Sequence, residues 1–338
     1  MSTEPLRGRA RSPAIAAATA AGAVLALQAW INGRLGEALD DGVAAATVSD
    51  GLSFVLLAAL CPFLPEFRRG TGRLARRTRG GTPALRPWHF LGGIVGGVVV
   101  LSQATSTAAL GTALYTVALV AGQTLSGLCV DHRGIGPGAA TPVDARRLTG
   151  AAVALAAVTV PLLGSLTAET IWLALLPFAA GIGLSWQMAV NGRLNAVAGS
   201  PYPSVALNFL LGVLVVSAAM GIDLALTGPP RHWPHDPLLY TGGLLGVAFV
   251  LASVLLVRHI GVLVMGLAMV GGQTVGSLVI DLAAGGGRPT GLTTLLSSAA
   301  IVVAAVLASR PGARPATTPS EPSELSDQHT PVPERQWT

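Results

Sequence analysis

Gln28-Ala29-Trp30-Ile31-Asn32-Gly33-Arg34-Leu35 decides how this chain is read, because it returns 159 residues later as Gln187-Met188-Ala189-Val190-Asn191-Gly192-Arg193-Leu194. A second pair agrees: Ala121-Gly122-Gln123-Thr124, running on to Asp131, is matched 150 residues later by Gly271-Gly272-Gln273-Thr274, running on to Asp281. Two matches in the same order make the chain a tandem duplication. The nine-residue difference between the offsets is extra linker in the first half. Each matched segment sets an amide inside an apolar run, a combination that points to a pathway through a membrane.

Composition agrees with that reading. The 338 residues are 51% hydrophobic and only 11% charged, with a mean hydropathy of +0.62, too apolar for a protein that must cover itself with charge. The net charge of +5 does not indicate a nucleic-acid partner: all 21 basic residues are arginine, and most stand in short links between apolar runs. The chain has no lysine, so a phosphate-binding loop with its lysine is impossible and no P-loop ATPase domain lies within it. Cys61 and Cys129 make neither a disulfide framework nor a metal-ligand spacing and read as packing residues. No cofactor is implied. His232, His235 and Asp236, spaced loosely around Trp233 and Pro234, read as a solvated turn rather than a metal site.

A spanning helix needs about 20 mostly apolar residues. That criterion predicts ten, at 13–33, 43–64, 87–108, 111–131, 147–166, 170–192, 203–223, 237–257, 261–282 and 290–309. The first five form one copy (13–166) and the last five the other (167–309), between an N-terminal segment (1–12) and a Pro/Ser/Thr/Glu-rich tail (310–338) expected to be disordered. Arg7, Arg9 and Arg11 ahead of an apolar run resemble a signal peptide, but the equivalent segment of the second copy lies mid-chain, so a retained helix is expected.

With a cytoplasmic N-terminus, eighteen arginines fall inside and only Arg34, Arg231 and Arg288 outside, which places both termini in the cytoplasm. The Arg-rich link Phe67 to Arg86 reads as an orientation signal and a contact for anionic lipid. Five helices per copy turn the second copy upside down relative to the first. The fold class expected is therefore an all-α polytopic membrane protein with a 5+5 inverted repeat, a plan that puts the substrate near the midplane in secondary transporters.

Further matches accompany the two Gln-x-x-x-Asn-Gly-Arg-Leu helices. Ser49 and Asn208 stand at equivalent places, Trp88 to Gly93 and Pro237 to Gly243 open the third helices, and the Gly-Gln-Thr helices each run to an Asp. Together, over residues 14–309, these resemble the YdcZ-type branch of the drug/metabolite transporter superfamily. In that branch a single five-helix copy is common, and this chain resembles two fused. The resemblance implies an inner-membrane transporter, as an exporter, moving a small metabolite or drug by proton antiport. Asp50 departs from it, standing where the second copy has Phe209 and where the branch usually has an apolar residue.

The candidate substrate-binding residues are the amides. Gln28 and Asn32, four apart, share one helix face, and so do Gln187 and Asn191. Gln123 and Gln273 sit near the middle of later spans. Two readings are open for all six: they line a polar cavity, or they bond across helices, at about 0.6 kcal/mol each. Gln103 has no counterpart, since Ser253 occupies its place, and its role would be asymmetric.

Asp50 lies mid-helix, where a carboxylate costs about 2.5–3.5 kcal/mol on insertion scales, and is the candidate for proton coupling. If the helix begins later than drawn, Asp50 instead lies near the outer interface with Asp40 and Asp41. Arg34 with Asp281 at the outer face, and Arg193 with Asp131 at the inner face, are candidate gates. The alternative is that the arginines reach to head groups and the aspartates cap helices.

The partners expected are a small-molecule substrate and the lipid bilayer, with no nucleic acid. Two copies in one chain suffice for a monomer in principle, and a homodimer stays open. A membrane protein that moves nothing and stabilises a partner complex is the alternative function, favoured if the amides are buried in interhelical bonds with no cavity between the halves. An enzyme would need a nucleophile, base or metal set at membrane depth, and the sequence offers only isolated amides and one acid.

Overall fold

The computed structural model describes residues 11–79, 85–138, 140, 142–159, 168–283 and 300. Apolar runs become helices that stop where Gly, Pro or Asp intervenes. In order these are α1 (Arg11–Leu39), α2 (Gly42–Leu60), α3 (Pro65–Arg79), α4 (Gly92–Leu110), α5 (Thr112–His132), α6 (Ala145–Thr159), α7 (Ala168–Ala198), α8 (Tyr202–Leu226), α9 (Gly242–Ile260) and α10 (Val262–Ala283). No strand occurs among the described residues. Short 3-10 turns, Pro87–Leu91 and Pro237–Tyr240, open α4 and α9 at equivalent places.

Seven of these segments are long and apolar enough to cross a membrane, and α10 carries a shorter apolar stretch, Val264–Ile280. Of the two remaining expected spans, 147–166 is described only through Thr159, in α6, and 290–309 lies outside the described residues apart from Ala300. Large apolar side chains such as Phe63, 84% exposed, and Trp172, 74% exposed, point away from the protein, as a lipid-facing surface requires.

Three sequence expectations are corrected here. The first helix of each copy runs past its Asn-Gly-Arg-Leu motif, to Leu39 and Ala198, instead of ending near it. The breakers come later: Asp40, with φ of 52°, then Asp41 capping α2 through the Ala44 N–H (2.8 Å) in one copy, and Gly199, with φ of 63°, before Ser200-Pro201 in the other. Arg34 and Arg193 are therefore inside helices rather than at their ends. Second, the Arg-rich link contains α3, because its apolar residues recur at helical spacing. Third, Cys61 is buried but Cys129 is exposed, so only the first packs in the core.

Helices α1, α2, α4 and α5 correspond to α7, α8, α9 and α10. They do not form two separate bundles. Helix α1 packs chiefly on α10 and α9 of the other copy, and α7 packs reciprocally on α5 and α4. Glycines allow the closest crossings. A Cβ on Gly22 would collide with the Met269 carbonyl, and one on Gly272 with that of Thr19. The equivalent α7–α5 crossing sets Gly181 against the Leu119 carbonyl and Gly122 against that of Phe178. Such backbone approach suits a membrane interior, where packing rather than water exclusion holds helices together. Within each copy the third and fourth helices are joined through a single residue, Gly111 (φ 77°) or Gly261 (φ 79°), in a conformation that only glycine adopts without strain.

Candidate functional site

Where the copies cross, a small cavity is lined almost entirely by equivalent residues: Leu25 with Leu184, Gln28 with Gln187, Gly96 with Gly246, Val99 with Phe249 and Val100 with Val250. Its volume is about 20 Å³, room for one water molecule. The remaining lining comes from α2 and α8: Asp50 with its counterpart Phe209, and Asn208.

Asp50 is 2% exposed. Helix α2 begins at Gly42, so Asp50 lies eight residues inside it, about 12 Å along the axis. The alternative of a late helix start at the interface is thereby removed. Its carboxylate lies against Gly212 of α8, where a Cβ would stand 2.7 Å from Oδ2.

The motif amides divide between the two readings the sequence left open. Asn191 Nδ2 donates to Asn208 Oδ1 (2.8 Å), and Gln187 Nε2 donates to the same oxygen (3.0 Å). In the first copy the place of Asn208 is taken by Ser49, whose hydroxyl is too short to serve and stays unpaired. There Asn32 Nδ2 donates instead to Gln103 Oε1 of α4 (2.8 Å). Gln103's counterpart, Ser253, bonds only its own helix, at the Phe249 carbonyl (2.8 Å). Each copy thus supplies one acceptor for its motif asparagine, from its second helix in one case and its third in the other. Sequence reasoning placed Asn208 only as a mark of resemblance and left Gln103 without a partner; the exchange 49/208 against 103/253 was the signal that could have found both.

Not all amide atoms are used. Asn32 Oδ1, Gln103 Nε2 and Gln187 Oε1 are buried without a hydrogen-bond partner. Gln123 and Gln273, each 1% exposed, do not line the cavity. Both polar atoms of Gln123, and Nε2 of Gln273, are likewise unpaired. An unsatisfied buried polar atom costs about 1–3 kcal/mol.

Of the candidate gate residues, Arg193 and Asp131 lie at the same end of the molecule, each bonded to backbone. Arg193 Nη1 donates to the Gly134 and Gly136 carbonyls (3.2 and 3.3 Å), in the link that follows Asp131. Asp131 Oδ1 accepts from the Val262 N–H (3.2 Å), at the α9–α10 turn. These contacts tie α7, the end of α5 and the start of α10 at one end of the molecule. Arg34 pairs with Glu37 on its own helix (3.0 Å). Asp281 belongs to α10, but its side chain lies outside the described residues. Asp236 caps the Leu238 N–H (2.9 Å), and no group of three or more metal-ligating side chains occurs among the described residues.

Two interlocked copies of apolar helices around a shared cavity define a multi-pass membrane protein. Residues 13–160 and 172–307 each match the family described as "Putative inner membrane exporter, YdcZ". The chain belongs to that family and carries it in two copies. The fold is also similar to that of a solved structure titled only "Crystal structure of protein", with a TM-score of 0.52 and 19% identity over 87% of this chain and 94% of that one. None of the curated proteins compared matches the chain.

Proposed function

We propose that this protein exports a small metabolite or drug across the inner membrane by alternating access, with the substrate held between the copies and a proton carried by Asp50. The observation that carries the proposal is the cavity: five pairs of equivalent residues line it, and Asp50, which stands where the second copy has Phe209, is its one ionisable side chain. Paired lining suits a site shared by two halves that exchange roles, and the copies are read as running in opposite senses through the bilayer. The single unpaired carboxylate suits an ion that binds once per cycle. At about 20 Å³ the site holds no substrate in this conformation, as expected of a closed intermediate.

Gln28 and Gln187 are the substrate-facing amides, with Asn32 and Asn191 setting their helices, and Gln123 and Gln273 mark a second polar level between α5 and α10. Arg193 and Asp131 act as a latch on the cytoplasmic side, and Arg34 with Asp281 take the equivalent part outside. With no P-loop in the chain, transport is gradient-driven or facilitative, and the buried carboxylate of Asp50 favours the first.

Inverted membrane vesicles test this with a panel of labelled metabolites and drugs, with and without a proton gradient, comparing wild type with Asp50→Asn. Gradient-driven uptake that disappears in the variant at unchanged protein level is the expected result. Gradient-driven uptake of full size in the variant would remove Asp50 from coupling.

A further inference from the structure

Helix α3 has no equivalent at the matching place in the other copy: the link between α8 and the Pro237–Tyr240 turn contains no helix. Its faces are sharply divided. At 100° per residue, Phe67, Thr71, Leu74, Ala75 and Thr78 fall within an arc of about 100°. Arg68, Arg69, Arg73, Arg76 and Arg77, all exposed, fill the rest. The apolar arc is not pressed flat on the protein. With Phe54, Leu57 and Ala58 of α2 and with Ala206, Leu207 and Leu210 of α8 it encloses a groove of about 460 Å³. That is within the usual range for small-ligand sites, roughly 300–1,000 Å³.

The groove is held open by contacts at its far side. Arg73 Nη1 passes beside Gly199 to donate to the Ala198 carbonyl at the end of α7 (2.9 Å), and Gly70 lies against Pro203, where a Cβ would stand 2.8 Å from its Cγ. Cys61 and Pro62, in the turn after α2, also line it, flanked in sequence by Leu60 and Phe63, 55% and 84% exposed.

We infer that this groove binds an anionic phospholipid of the leaflet on which α3 lies, with an acyl chain between α2, α3 and α8 and the phosphate on the arginine face. The occupant is fixed by charge and by place. The arginines Arg68, Arg76 and Arg77 are offset along the helix by only the Glu66 carboxylate at its start. An amphipathic helix of this kind lies in the head-group plane and favours anionic lipid. The groove opens where acyl chains are the only apolar solvent. Because α3 is fastened to the end of α7 and the start of α8, the bound lipid braces the α7–α8 turn.

The full chain, stripped of lipid in detergent and titrated with phosphatidylglycerol, phosphatidylcholine or inorganic phosphate, tests the inference by native mass spectrometry and thermal midpoint. Phosphatidylglycerol is expected to be retained and to raise the midpoint more than phosphatidylcholine. In the triple variant Arg68→Gln, Arg76→Gln, Arg77→Gln that preference should fall on the order of a hundredfold, with the lipid-free midpoint unchanged. In Ala58→Trp, where an exposed groove residue is enlarged, both lipids should be lost. Equal retention of the two lipids, unaltered by the triple variant, would overturn the anionic assignment. Protection by inorganic phosphate alone, or Ala58→Trp binding like wild type, would reduce the site to surface charge and overturn the groove.

Discussion

Asn208 holds two amides with one oxygen, and the whole polar wall of the second copy depends on it. Replacing it by Ser, its counterpart in the first copy, leaves the Gln187 and Asn191 donors without an acceptor. The expected loss is about 1–3 kcal/mol, the range between modest membrane hydrogen bonds and unsatisfied buried groups. The double variant Asn208→Ser, Ser253→Gln should recover much of it, because it rebuilds in the second copy the acceptor that Gln103 supplies in the first. Thermal unfolding of the single and double variants in detergent checks both statements. The motif amides were legible as a buried polar face, since Gln and Asn four apart in an apolar run can be little else. Which of them bond and which remain free was not, because that depends on acceptors borne by other helices.

At the scale of helices the closest crossings lie at glycine. Gly272→Ala should destabilise strongly, by about 1–3 kcal/mol or more, because the added carbon meets the Thr19 carbonyl and backbone cannot move aside as a side chain can. Gly51→Ala, beside Asp50, is the control: nothing lies within 4 Å of its added carbon, and the helix gains the better helix former. A fall in thermal midpoint for the first variant and an unchanged or higher one for the second is the expected pair of results. Most spans could be read from apolar length alone. Helix α3 was missed because its arginines outweigh the few apolar residues, Phe67, Leu74 and Ala75, of its inner face in any average. The true ends of α1 and α7 were missed because the apolar run thins at Asn-Gly-Arg, and Gly33 and Gly192 within it interrupt neither helix. They are tolerated where they pack, Gly33 by Thr107 and Gly192 by Val257.

For the molecule as a whole, the repeat and the arginine distribution foretell its placement. Reporters fused to either end of the chain should be active only on the cytoplasmic side, and a periplasmic signal from one of them would break the even number of crossings. The duplication was legible from two short matches and is borne out by two family segments, 13–160 and 172–307. The interlocking of the copies was not legible, because similarity along a chain does not say whether its copies pack side by side or through one another.

That interlocking also sets a timetable. Gly22 meets its partner helix at Met269, 247 positions later in the chain. At synthesis rates of about 5–20 residues per second, α1 waits roughly 12–50 s in the bilayer before α10 exists. Through that interval α1, which bears Gln28, stands without the second-copy surface made to receive it, so the earliest hazard to this protein is in its birth, and a chaperone or insertase that shelters α1 would matter more than one that attends the last helices.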